Sequence, residues 1–272
     1  MLIAPALVYL IIFNYAPMYG VQIAFRDYQA VRGITGSAWA GLKYFRQFFN
    51  SYYSTTVIVN TVRISVMQMT IGFPFPILFA LMLNELKRVR LKRFIQTVTY
   101  APHFISTVVM AGILISFLSP SSGMINMALK RLGGTPVAFM EKSAYFPWIY
   151  VISGIWQNLG WNSILYFAVL SGVDPELYEA ARIDGASRLQ KVRYIDFPSL
   201  LPMIVTLTIL NFGNIMSVGF EKAFLLQNNL NAETSELIST YVYKRGLQSA
   251  QYSLATAVGL FNSAVNLVLL VG

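Results

Sequence analysis

The sequence predicts an all-α integral membrane protein with six transmembrane helices. Charged residues make up only 11% of the 272 residues and hydrophobic ones 56%, whereas soluble domains carry about 25% charge. The apolar residues gather into six runs, at about 2–25, 56–83, 101–118, 147–170, 199–220 and 251–272. Each is near the ~20 residues a helix needs to cross a bilayer. Lys and Arg cluster in two of the connections. No repeat or low-complexity tract divides the chain, so one domain over 1–272 is expected.

The first run carries Pro5 and Pro17, exceeds a signal peptide in length and has no basic segment before it. The second holds Arg63, the one full charge inside any expected span. Arg at mid-bilayer costs about 2.5–3.5 kcal/mol on insertion scales. Arg63 lies toward the outer end of its run, where a guanidinium can snorkel to the interface. The alternative is an anion contact on a transport path. The short third run opens around His103, the only histidine, with no cysteine anywhere in the chain. A metal or triad site needs more ligating or nucleophilic groups than that. A hydrogen bond in a helix-end cluster is expected instead. The last run reaches the final residue with no polar stop, so flanking residues are expected beyond both ends.

The formal charge of +9 reports orientation, not nucleic-acid binding. Lys87, Arg88, Arg90, Lys92 and Arg93 follow the second run, and Arg182, Arg188, Lys191 and Arg193 follow the fourth. The positive-inside rule places 84–100 and 171–198 in the cytoplasm, with both termini, and places 26–55, 119–146 and 221–250 outside. In the last outer loop Glu233 and Glu236 precede an apolar stripe of Leu237, Ile238, Tyr241 and Val242. Lys244-Arg245-Gly246 closes it, which predicts an interfacial or periplasmic helix.

Polar residues enter the later spans in pairs that share one helix face. These are Asn158 with Asn162, Asn211 with Asn214, and Asn262 with Asn266, beside Trp156 and Trp161. Amides can hydrogen-bond sugar hydroxyls while an indole stacks on a pyranose face. The same amides can equally join helices, at about 0.6 kcal/mol per contact. All acids fall outside the expected spans, so a proton- or sodium-coupled carrier lacks its usual intramembrane carboxylate. A secondary carrier or channel, and a membrane enzyme, remain the alternatives.

The connection at 174–198 reads as helix, corner, helix. Asp174-Pro175-Glu176 combines an N-cap, a proline at the first helical position and an acid in the first turn. Gly185 stands where a left-handed C-cap is needed, and Ser187 with Gln190 forms a capping box. Glu179, Ala180, Ala181, Asp184, Gly185, Ala186, Ile195 and Pro198 together resemble the EAA loop of permease subunits of binding-protein-dependent ABC importers. The runs IIFNYAPMYGVQIAF, YAPHFISTVVM, WQNLGWNSILYFAVLSGVDPELYEAARIDGAS and STYVYKRGLQSAQYSLATAVGLFNS are similar to the oligosaccharide and polysaccharide branch of that family.

That resemblance implies a multi-pass subunit of the bacterial cytoplasmic membrane. Its loop docks on a cytoplasmic ATPase, and its spans form the path of a carbohydrate, with a sugar acid or another small solute as variants. It also implies a second, similar permease chain, two ATPase subunits carrying ATP and Mg, and an extracytoplasmic solute-binding protein. The chain has no GxxxxGK[ST] phosphate loop, so hydrolysis is expected on a separate polypeptide.

Overall fold

The structure, a computed structural model, describes residues 3–271. Helix α1 (Ala4–Phe25) is followed by a hairpin of β1 (Arg26–Gln29) and β2 (Ser37–Trp39), antiparallel with Arg26 opposite Trp39. A short helix, Lys43–Phe49, leads into α2 (Tyr52–Asn84). Next come α3 (Val89–Phe104), α4 (Thr107–Phe117) and α5 (Phe146–Ser171). The chain continues through α6 (Pro175–Ile183), α7 (Arg188–Phe212), α8 (Phe220–Leu226), α9 (Ile238–Tyr243) and α10 (Tyr252–Val271).

Helices α1, α2, α7 and α10 are long and apolar enough to cross a membrane, and the α3–α4 pair is a fifth candidate. Helix α5 has the length, at 26 residues, but Gln157, Asn158 and Asn162 dilute its apolar character. The expected third span, 101–118, is not one helix: α3 and α4 meet at a 100° bend. Pro102 opens a tight turn there, and Ser106 caps α4 by accepting from the Val109 N–H at 3.4 Å. The fifth span is also shifted. Its helix starts at Arg188 and stops at Phe212, so 213–220 is not helical continuation. Ile215, Met216 and Val218 look like span residues but are apolar because they pack into the core. Asp196 therefore sits on the same helix as the expected fifth span, three residues before that span's expected start at 199.

Three long helices widen into a π-helical turn, at Ile11–Tyr15, Gln68–Gly72 and Val192–Asp196. Each turn is followed by a proline two residues later: Pro17, Pro74 and Pro198. A proline ring collides with the carbonyl four residues before it, and that carbonyl is the middle residue of each wide turn. Widening the turn moves the carbonyl aside without ending the helix.

The core has three parts. An outer cluster joins Phe48, Val57, Ile238, Tyr241, Leu254 and Val258. A central one holds Ile64, Phe146, Tyr150, Val151 and Leu226, and a third holds Ile77, Ala80, Leu81, Tyr166, Leu170 and Leu200. The apolar stripe of the last loop packs inward, with Leu237, Ile238 and Tyr241 buried. Its helix begins at Ile238, while Ala232–Ser235 forms a separate turn. No residue from Ala4 to Met18 is buried, which leaves α1 open to lipid or to another chain.

Candidate functional site

Between α2, α5, the end of α7 and the turn after it lies a cavity of about 630 Å³. Its polar lining comes from Ser65, Gln68, Asn158, Asn162, Asn211, Asn214 and Ser217, with Trp161 beside them. No Asp, Glu, Lys or Arg lines it. A neutral, amide-rich cavity with an indole on its wall can offer hydroxylated ligands hydrogen bonds and ring stacking.

The wall is built by close helix contact. A Cβ at Gly160 of α5 would lie 2.5 Å from the Thr99 carbonyl oxygen of α3, so glycine lets the two backbones touch. That approach brings His103 face to face with Trp161, ring centroids 4.3 Å apart and 5° from parallel. His103 Nδ1 donates to Asn158 Oδ1 at 2.9 Å, and Asn158 Nδ2 donates to the Gly154 carbonyl at 3.1 Å. The expected helix-end role of His103 is what the structure shows. Asn211 and Asn214 each donate to the carbonyl four residues back, at 2.7 and 3.1 Å. Among the described residues nothing donates to their side-chain oxygens, which are free for a ligand.

Five of the eight path candidates named from sequence therefore meet in one cavity: Asn158, Trp161, Asn162, Asn211 and Asn214. Three do not. Arg63 is exposed on the outer face of α2 beside Val59, Val62 and Val66, and Trp156 is exposed away from the cavity. Asn262 is on α10, with its Oδ1 buried and unpartnered. Its neighbour Asn266 has a structural task, accepting from the Met216 N–H at 2.9 Å and donating to Ser217 Oγ at 2.9 Å. Ser65, whose hydroxyl donates to the Ile215 carbonyl, and Gln68 were missed. Their three-residue spacing, which puts both on one face of α2, was the available signal.

The corner after α5 has the predicted caps. Asp174 Oδ1 accepts from the Glu176 N–H at 2.9 Å. Gly185 is left-handed at φ +71°, and the Ala186 and Gly185 N–H groups donate to the carbonyls of Ala181 (2.8 Å) and Arg182 (3.1 Å). This is a Schellman closure, in which a left-handed residue lets two terminal carbonyls find donors. The Ser187–Gln190 capping box is complete, at 2.7 and 3.3 Å. Ala181, Asp184, Gly185, Ala186 and Ile195 line a shallow cleft at the corner, while Glu179, Ala180 and Pro198 are exposed beside it. Ile183 is 87% and Leu189 77% exposed, an apolar tip with no cover in this chain.

Beneath the corner lies a cluster that sequence reasoning missed. Asp196 of α7 is fully buried. Its Oδ1 accepts from the Tyr178 hydroxyl of α6 at 2.5 Å and from Asn84 Nδ2 at the end of α2 at 3.2 Å. Its Oδ2 has no partner. Burial, and then the hydrogen bond to Asp196, pushes the Tyr178 hydroxyl up to about 12. One carboxylate thus ties the corner to two long helices. Arg188 and Glu85 add an exposed contact at 4.0 Å.

Comparison with known proteins gives this geometry its context. Residues 72–271, which include the corner and most of the cavity lining, match the model of the binding-protein-dependent transport system inner membrane component family. The polygalacturonan/rhamnogalacturonan transport system permease protein YteP of Bacillus subtilis (strain 168) is 41% identical over 99% of this chain and 84% of its own length. Protein LplB of the same organism is 38% identical over 100% of this chain and 86% of its own. Among solved structures, a chain of a bacterial ABC transporter involved in the import of the acidic polysaccharide alginate is 40% identical. It superposes with a TM-score of 0.92, covering 98% of this chain and 90% of that one. The same transporter type has been crystallised in complex with an alginate pentasaccharide-bound periplasmic protein, again at TM-score 0.92. This chain belongs to the family of inner membrane components of binding-protein-dependent transport systems.

Proposed function

We propose that the chain is the permease subunit of an ATP-driven importer, and that the amide-lined cavity is its passage for an oligosaccharide or polysaccharide fragment. The observation that carries this reading is that one helix serves both regions. Helix α7 starts at the corner with Arg188 and reaches the cavity wall with Asn211. Its 25 residues span roughly 37 Å. A displacement of the corner is therefore delivered to the cavity by one continuous helix, which is what coupling between an ATPase and a transport path requires.

In this reading α5 and the segment 101–118, which contains α4, complete six spans, with residues 84–100, 171–198 and both termini in the cytoplasm. The exposed tip at Ile183 and Leu189 docks on an ATPase subunit, with Glu179, Ala180, Ala181, Asp184, Gly185, Ala186, Ile195 and Pro198 shaping the contact. ATP and Mg reside on that partner. A second, similar permease closes the other side of the passage, and an extracytoplasmic binding protein delivers the carbohydrate. The neutral cavity supports this over an ion-coupled carrier, because it offers no carboxylate to a coupling ion.

Reconstitution with the partner permease, ATPase and binding protein tests the proposal. ATP-dependent uptake of oligosaccharides into vesicles is expected; uptake driven by an ion gradient without ATP would overturn it. The absence of native cysteine makes orientation directly measurable. A Gln190→Cys chain should resist an impermeant thiol reagent applied outside intact cells.

A further inference from the structure

Lys222 of α8 holds its amine against the cavity wall with no acid paired to it, and burial pulls its pKa down to about 7, where an arriving anion would favour the ammonium form. Nζ donates to the Tyr150 carbonyl at 2.8 Å and lies 4.7 Å from the centroid of the Tyr150 ring. An ammonium has three protons to donate, and no second acceptor meets it among the described residues. The ion pairs found there are Lys43–Asp27, Arg188–Glu85 and Lys244–Glu236, none of which involves Lys222 or the adjacent Glu221. Removing a cation from water without a counter-charge is unfavourable. A structural tie to one carbonyl does not require a charge.

The neighbouring residue explains where that charge is directed. Gly154 of α5 lines the cavity, and a Cβ built on it would lie 3.3 Å from Lys222 Nζ. The ammonium therefore stands behind the only kind of wall residue that puts no side chain between it and the cavity. Asn158 lies one helical turn further along the same face of α5. Arg63, the other cation considered for such a role, faces out of the bundle.

We propose that Lys222 is the anion-recognition residue of the cavity, meeting the carboxylate of a uronate-bearing oligosaccharide as it passes Gly154 and Asn158. This rests on the carbohydrate reading above and sharpens it to acidic sugars. The amides supply hydrogen bonds, but a carboxylate leaving water needs charge-assisted contact as well. A lysine suits a moving ligand. Its compact charge on a flexible stem can follow an anion, whereas a bidentate guanidinium would hold it in one pose.

The test uses the complete reconstituted importer with its binding protein. Uptake of trigalacturonate is compared with uptake of its fully methyl-esterified, neutral counterpart. The ratio of acid to ester uptake, variant over wild type, cancels the preference of the binding protein. Lys222→Gln should lower that ratio by about tenfold, the loss of one charge-assisted contact. Lys222→Arg should restore part of it. Gly154→Ala keeps the lysine but interposes a methyl group, and should lower the ratio by about threefold. This variant decides the matter if Lys222→Gln does not assemble. Equal loss of acid and ester uptake overturns the anion role alone. A wild-type complex that takes up neither sugar, while hydrolysing ATP, overturns the carbohydrate reading and the anion role together.

Discussion

The corner at residues 174–198 and the cavity between α2, α5 and α7 are built by interactions of different range. At the corner most partners lie two to five residues apart: Asp174 with Glu176, Ala186 with Ala181, Ser187 with Gln190. In the cavity the partners come from distant helices and the turn after α7: His103 with Asn158, Ser65 with Ile215, Asn266 with Met216. A local motif can be read from residue order. A cavity exists only once distant helices meet. The corner should therefore tolerate damage without unfolding the bundle, and the cavity should not.

Substitution at Gly160 is the strongest challenge to that contrast. An alanine there puts a methyl carbon 2.5 Å from backbone, at Thr99, where nothing flexible can yield. Overpacking of this kind costs up to about 3 kcal/mol. Gly160→Ala should lower the melting temperature of the purified complex and disturb the His103–Trp161 stack, seen as a change in tryptophan emission. An unchanged melting curve would mean that α3 and α5 are not in contact there.

Tyr178 sits where the two regions join and should show both behaviours. Tyr178→Phe removes a donor from the buried Asp196 carboxylate, whose other oxygen is already unpartnered. Leaving such a group short of a donor costs about 1–3 kcal/mol. Stability should fall modestly, and the sugar-stimulated part of ATP hydrolysis should fall more than the basal part. If both parts decline in proportion, the cluster is only a structural tie.

The same difference in range explains what could be read from sequence. The caps of α6 and the left-handed Gly185 were legible because each is a local pattern with one physical solution. The Asn84–Tyr178–Asp196 cluster was not, since nothing in the order of residues tells Asp196 which helices it will face. The end of α7 was misplaced because Ile215, Met216 and Val218 are equally apolar in a buried turn and in a span. The pairing of Asn262 with Asn266 was visible, but their tasks were not. Asn266 secures the turn beside the cavity and Asn262 does not line it.

Gly185→Val gives a smaller, purely local effect. A β-branched residue at φ +71° is strained by about 1–2 kcal/mol, although the space around the position is open. The Schellman closure should open and misplace the tip at Ile183. Transport and sugar-stimulated ATP hydrolysis should drop while the melting temperature stays close to that of the wild type. Normal coupling in this variant would detach the corner from the ATPase.

Arg63 carries the smallest expected effect and the clearest distinction between a wall and a surface. Sequence placed it within a span, where an arginine either snorkels or meets an anion. The structure puts it on the outward face of α2 among Val59, Val62 and Val66, all exposed, and outside the cavity lining. With eleven residues of α2 before it, Arg63 lies roughly 16 Å along that helix from Tyr52. Its long stem can carry the guanidinium toward the outer interface at the expense of side-chain freedom. Arg63→Gln should therefore leave the acid-to-ester uptake ratio within about twofold of wild type, a difference under about 0.5 kcal/mol. Any change should appear in membrane insertion or yield, and Arg63→Lys should reverse it, because snorkelling needs a cation but not a planar fork. If Arg63→Gln instead lowers the ratio as strongly as Lys222→Gln, the outer face of α2 belongs to a passage completed by the partner permease, and the single-chain cavity is only part of the path.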